Sequence, residues 1–182
     1  METITKTKWS IDKAHSQVQF KVKHLMITTV TGTVKNYDAV IETNGDDFSG
    51  VKINFSADSN SIDTGSEQRD GHLKGDEFFA SEKYPQLHFI STGMDKKSAT
   101  EYILTGNLTI RDKTNPVTLN VEFGGITNDP WGNTKAGFEV TGKINRKDFG
   151  LSFHVVNETG NLLVSDEIKL LAEIQLVKQK PE

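Results

Sequence analysis

Trp9-Ser10-Ile11-Asp12-Lys13-Ala14-His15-Ser16-Gln17-Val18-Gln19-Phe20-Lys21-Val22-Lys23-His24 is the stretch whose reading decides the fold. Beyond the Asp12–Ser16 turn, in which His15 is expected to hydrogen-bond, the chain alternates strictly. Val18, Phe20, Val22 and His24 fall on one side, Gln17, Gln19, Lys21 and Lys23 on the other. Successive side chains of a strand point to opposite faces, so this is a strand with one apolar and one wet face. The same alternation returns in segment after segment. An antiparallel sheet that hides one face over such a length closes most simply into a barrel.

Seven further segments carry the pattern. The second, around 29–42, has Val30, Gly32 and Val34, then Tyr37, Ala39 and Ile41, and its apolar parity switches near Asn36-Tyr37-Asp38, as a bulge requires. Asn44-Gly-Asp-Asp47 marks a turn before the third, 50–58, with Val51, Ile53, Phe55 and Ala57. The fourth follows Tyr84-Pro85 with Leu87 and Phe89; the fifth carries Tyr102, Leu104, Gly106, Leu108 and Ile110. After a hairpin loop at Arg111–Pro116 the sixth holds Val117, Leu119, Val121 and Phe123. The seventh holds Phe138, Val140 and Ile144, and the eighth Ile168, Leu170, Ala172, Ile174 and Leu176. Leu171 and Val177 on the eighth strand's other face point to an oligomer contact there.

Two stretches break the rhythm. Thr64-Gly-Ser-Glu67 has the capping-box form, and a helix is expected from there through Arg69 and Leu73 to a left-handed Gly75. Phe149 to Gly160 holds Leu151, Phe153, Val155 and Val156 in a loop-like setting. Both are candidate covers for a barrel mouth. The fold expected is therefore all-β: one domain over 1–182 with its core at 8–178, an eight-stranded antiparallel lipocalin-like barrel with a short helix between strands 3 and 4.

Bulk composition narrows the function. The chain has 182 residues, 35% hydrophobic and 25% charged, and a net charge of −4 from Lys+Arg 21 against Asp+Glu 25. It lacks the concentrated basic footprint of a nucleic-acid binder. Without cysteine there is neither a disulfide framework nor thiol chemistry. Met1–Lys8 shows no apolar signal region and no stretch is long enough to span a bilayer, so a soluble, cytoplasmic protein is expected. No nucleophile elbow, Walker loop or dinucleotide fingerprint occurs, and no cofactor or catalytic residue is expected. His15, His24, His72, His88 and His154 are not paired at metal-ligand spacing.

The motifs together resemble the YceI-like family of lipocalin-like, polyisoprenoid-binding proteins. They are Trp9-x-Ile11-Asp12-x-x-His15-Ser16-x-Val18-x-Phe20, Lys23-His24-Leu25, Arg69-Asp-x-His72-Leu73, Phe78-Phe79 and Tyr84-Pro85-x-Leu87-x-Phe89-x-Ser91. Gly106-x-Leu108-Thr109-Ile110-Arg111, Pro116-Val117-x-Leu119, Trp131-Gly132, Ala136-Gly137-Phe138, Asn145-Arg146-x-Asp148-Phe149-Gly150 and Asp166-Glu167-Ile168 follow in order. Two features depart from the pattern: many relatives carry a secretion signal, and Ser165 stands where Gly is expected. The resemblance implies a long apolar cavity, a bound isoprenoid lipid such as a polyprenyl phosphate or quinone, often a homodimer, and no established catalysis.

The residues themselves leave two readings open, since inward apolar side chains either pack on one another or line a ligand cavity. The candidate ligand contacts are Phe20, Val22, His24, Phe55, Phe89, Leu104, Leu108, Leu119, Val121, Phe138 and Ile144 in the barrel, with Arg69, His72, Leu73 and Phe78 at the mouth. Gly32, Gly106 and Gly142 fall on inward positions and are expected to leave room. Arg69 either meets a head group or, the favoured reading, pairs with Asp70, Asp76 or a rim carbonyl to fix the helix. Arg146 and Asp148 are expected to hold the turn before the last loop, and Trp131 to be a turn residue. The competing functions are an enzyme acting on such a lipid, and a structural module with a filled barrel.

Overall fold

The eight positions expected from alternation form a ring, although the chain breaks three of them. A computed structural model describes residues 6–153 and 163–180. Its strands are β1 (Lys6–Ile11), β2 (Gln17–His24), β3 (Thr28–Val34), β4 (Tyr37–Asn44), β5 (Asp47–Asp58) and β6 (Ile62–Asp63). After the helix α1 (Glu67–Leu73) come β7 (Gln86–Lys96), β8 (Glu101–Ile110), β9 (Lys113–Asn128), β10 (Thr134–Asn145) and β11 (Val164–Lys178).

β1 and β2 run in line and share one neighbour, β1 pairing with the Leu176–Lys178 end of β11 and β2 with Val164–Glu173. β3 and β4 form the next position, on β2 and β1 respectively, and β5 with β6 the third. β7 to β10 then pair in sequence and β10 returns to β11. The result is an eight-stranded closed antiparallel β-barrel with one α-helix among the described residues. The expected parity switch near Asn36 is the break between β3 and β4. The β1–β11 pairing closes the ring, with β6 paired to β3 alone at its edge.

Several boundaries differ from the expectation, each for a local reason. Trp9 lies in a strand of its own, because a 3-10 turn at Lys13–His15 interrupts the alternation before Gln17. β5 begins at Asp47 rather than 50: Phe48 and Val51 are both buried although three residues apart, since Gly50 (φ 69°) inserts a bulge. The β8–β9 loop is only Arg111-Asp112, with Thr114 to Pro116 already paired to β8. The cap of α1 is Ser66, whose hydroxyl accepts from Arg69 N at 3.3 Å, because Thr64 is engaged by Asp70 instead. Gly75 is not left-handed; Lys74 ends the helix in right-handed conformation, and Ala80 N bonds back to Gly75 O at 2.9 Å. Trp131 is 82% exposed in the β9–β10 turn, where Asp129 accepts from the backbone N–H of Trp131 and Asn133. His154, Val155, Val156 and the stretch on to Gly160 lie outside the described residues.

Candidate functional site

Inward alternation from every position of the ring surrounds a cavity of about 250 Å³. Its wall is hydrophobic but for Gln19, which sits on the outward alternation with its amide 3.5 Å from Thr33 Oγ1 on the neighbouring strand. No polar side chain of the described wall therefore points into the cavity. Phe20, Phe55, Phe89, Leu104, Leu108, Leu119, Val121, Phe138 and Ile144 all line it.

The other candidates do not line it. Val22, near the end of β2, is half-buried and packs into the apolar cluster beneath the cover. His24 ends β2 beyond the wall and is exposed. Leu73 packs on that cluster, and Phe78 is buried in an aromatic group with His72 and Phe153, at 5.1 Å from each. Phe79, not Phe78, faces the cavity, its ring 6.3 Å from that of Phe20. His72 is exposed and bonds Glu77 at 2.9 Å. Arg69 donates to Thr64 Oγ1 and Thr64 O, each at 2.7 Å, so it fixes the approach to α1 through a carbonyl rather than through Asp70 or Asp76.

The inward glycines do not leave room for a ligand. A Cβ on Gly32 would lie 2.2 Å from the Phe20 ring, one on Gly106 2.4 Å from the Phe89 ring, and one on Gly142 2.4 Å from Leu119. Each glycine is a recess already filled by a neighbouring large side chain. The ligand space is what remains between these rings.

The two ends differ. At the end carrying the β4–β5 and β9–β10 turns, Phe48 sits 5.1 Å from Trp9 and 4.8 Å from Phe138, with Phe123 stacked on Phe138 at 5.1 Å. Trp9 Nε1 donates to Thr43 Oγ1 at 2.8 Å, which satisfies the one polar atom of that plug. Outside it, Asp12 Oδ2 takes Lys135 at 2.7 Å and bonds His15 at 2.9 Å, as the turn reading expected. The Lys135 and His15 hydrogen bonds hold the Asp12 carboxyl down to about 2.

At the other end α1, the turn through Phe78–Ala80 and the segment Arg146–Phe153 lie over the mouth. Arg111 in the β8–β9 turn donates from one nitrogen to Asp76 O (2.8 Å), Phe78 O (3.1 Å) and Gly150 O (3.1 Å). It clamps both covers to the barrel. Arg146, fully buried, donates to Leu151 O (2.6 Å), Ser165 O (3.0 Å) and Val164 O (3.3 Å), and pairs with Asp166 at 3.2 Å rather than with Asp148. Burial pushes its pKa down and Asp166 opposes that. Asp148 instead offers its carbonyl to Asn115. Sequence reasoning missed Arg111, Phe48, Phe79 and Met94 as parts of the site; Phe48 and Met94 follow parity breaks, whereas an arginine bound to distant carbonyls leaves no spacing signal.

The sequence profile of the YceI-like domain matches residues 9–176. The chain belongs to the YceI-like family. A UPF0312 protein of Staphylococcus epidermidis is 35% identical over 170 residues, 93% of this chain and 96% of that one. One from Staphylococcus aureus is 36% identical over the same coverage. Among solved structures, the Campylobacter jejuni YCEI protein is 33% identical, with a TM-score of 0.76 over 99% of this chain and 100% of that one. A polyisoprenoid binding domain from Saccharophagus degradans shares the fold at a TM-score of 0.62 and 16% identity, over 95% of this chain and 98% of that one. The YceI-like match begins and ends at Trp9 and Leu176, one on each side of the β1–β11 seam that closes the ring.

Proposed function

We propose that this YceI-like barrel binds an isoprenoid lipid, such as a polyprenyl phosphate or isoprenoid quinone, in its cavity, and carries or sequesters it. The observation that carries the reading is the wall: a cavity of about 250 Å³ without an inward polar side chain among the described residues. That volume lies just under the ~300–1,000 Å³ of ordinary ligand pockets, which favours a slender chain over a bulky ring system. Burying about ten methylene-like carbons at ~0.8 kcal/mol each contributes roughly 8 kcal/mol before association costs. Tail burial then dominates affinity, and a head group stays at the mouth, where the covers lie. An apolar wall also offers no acid–base pair, which favours a binding protein over an enzyme acting on the lipid. The Saccharophagus degradans domain, described as polyisoprenoid binding, supports the same direction.

Mass spectrometry of organic extracts from gently purified protein tests this, with an isoprenoid expected and a blank extract counting against the carrier reading. Leu108→Asp places a bare carboxylate on the wall and should abolish lipid loading. Normal loading of that variant would refute the site.

A further inference from the structure

The turn between β2 and β3 is made of residues that such a turn does not favour. The Ile27 N–H donates to His24 O at 3.1 Å, and the two residues enclosed, Leu25 and Met26, have φ of 52° and 63°. Positive φ at both central positions is met without strain by Asn-Gly and at a cost by long apolar side chains. The same turn puts large apolar groups in water: Met26 is 51% and Ile27 76% exposed. They are consecutive, whereas Val40 and Ile90, also exposed, are held apart by Asn54 on the strand between them.

The hairpin projects from the covered end of the barrel. Among the described residues β3 pairs with β6 only through Thr33 and Val34, so Thr28 to Gly32 run past that neighbour. On its other side β2 follows β11 as far as the His24–Val164 pair. Val164 O accepts from Arg146, which anchors the cover, so the tip stands beside the mouth.

Behind the tip the outer face is basic. Lys21 and Lys23 lie on the outward alternation of β2, and Lys21, Lys169 and Lys143 are directly paired across β2, β11 and β10. Like charges opposite one another destabilise a sheet, so this row does nothing for its own fold. Among the described residues Lys21, Lys23 and Lys169 enter no ion pair, and Lys143 only approaches Glu167 at 3.8 Å. In a chain of net charge −4 this concentration is local. α1 rests against β6, which places its Glu67 and Asp70 on the far side of the hairpin from the lysines.

We infer that the β2–β3 tip docks this barrel on an anionic membrane surface, with Met26 and Ile27 entering the acyl boundary and the four lysines meeting head-group phosphates. The spacing suits the two layers. Lys23 stands two residues, about 7 Å, behind Leu25, comparable with the ~5–10 Å to which an interfacial segment sinks. The Lys21 row is a further ~7 Å back, within a Debye length of the surface. An apolar protein groove would accept the tip and leave the lysines unanswered; anionic lipid answers both. The barrel leans toward its lysine side and brings its mouth to the bilayer. Docking is independent of what fills the cavity, while its use in lipid transfer rests on the carrier reading above.

Cosedimentation of the full chain with mixed phosphatidylglycerol–phosphatidylcholine vesicles, and with phosphatidylcholine alone, tests this. The wild type should bind the anionic vesicles at least about tenfold more tightly, and ~0.5 M salt should remove the difference. Ile27→Asp should weaken binding at least about tenfold. Met26→Gly should weaken it several-fold yet unfold at or above the wild-type temperature, because glycine accepts the positive φ. Lys23→Glu combined with Lys169→Glu should abolish the preference for anionic vesicles. Organic extracts of these variants should carry the same guest as the wild type, which separates lost docking from a lost cavity site. A blank extract with vesicle binding intact would strike the carrier reading alone. A wild type that binds no vesicles, tip variants that bind as well as the wild type, or variants that alter only the sedimentation of the protein without vesicles would overturn the docking surface.

Discussion

At one end of the barrel the seal is made of strand residues, Trp9, Phe48, Phe123 and Phe138, packed ring against ring. At the other it is borrowed from segments outside the ring, held down by arginines that bond backbone carbonyls. The first seal cannot open without unpairing β1, β5, β9 or β10. The second can be displaced with the sheet intact, at the cost of the Arg111 hydrogen bonds and of the apolar contacts of Phe79 and Leu151. For the proposed carrier, one end of each kind would suffice, and the covered end would then be the route by which a lipid enters and leaves.

Breaking the strand-borne seal should have the largest effect. Phe48→Ala removes the centre of the plug and is expected to cost about 3–5 kcal/mol in denaturant unfolding. A loss under 1 kcal/mol would mean that the plug is not a structural seal. Arg111→Ala should cost less, about 1–3 kcal/mol, since three carbonyls lose a charged donor at a partly exposed site. Its diagnostic readout is kinetic: transfer of a fluorescent prenyl lipid to vesicles should become several-fold faster, whereas Phe48→Ala lowers loading and stability together. Equal transfer rates for Arg111→Ala and wild type would place the entrance elsewhere.

The smallest effect is electrostatic and belongs to the strand-borne end. Asp12 titrates at about 2 in the fold against 3.8 unperturbed. A depressed carboxyl contributes stability above its unfolded pKa and loses it as pH falls through the folded one. Its contribution, up to about 2 kcal/mol, should be nearly whole above pH ~4, fall as pH drops through about 2 and vanish below that. Asp12→Asn should flatten that part of an acid-unfolding curve and leave lipid transfer at neutral pH unchanged.

Much of the interior was legible because alternation is a strict signal while it lasts. Phe20, Leu104, Leu119 and Phe138 lie in uninterrupted runs and face the cavity as their parity requires. Reading stopped at parity breaks: Gly50 hides Phe48 from the run starting at Val51, and the register shift between Ser91 and Gly93 separates Met94 from Phe89. The covered end was harder, because in coil Phe78 and Phe79 have no periodicity to say which turns inward. The clamps at Arg111 and Arg146 were out of reach for another reason: their partners are carbonyls, which every residue has.

The Phe20 and Phe89 rings lie where side chains at Gly32 and Gly106 would otherwise stand. The bare backbone at each glycine is what lets the ring withdraw this far from the axis of the tube. The bore of this tube is therefore set by glycine as much as by the phenyl groups that line it. Gly32→Ala would push the Phe20 ring off its seat and into the cavity, shrinking the space left for a guest.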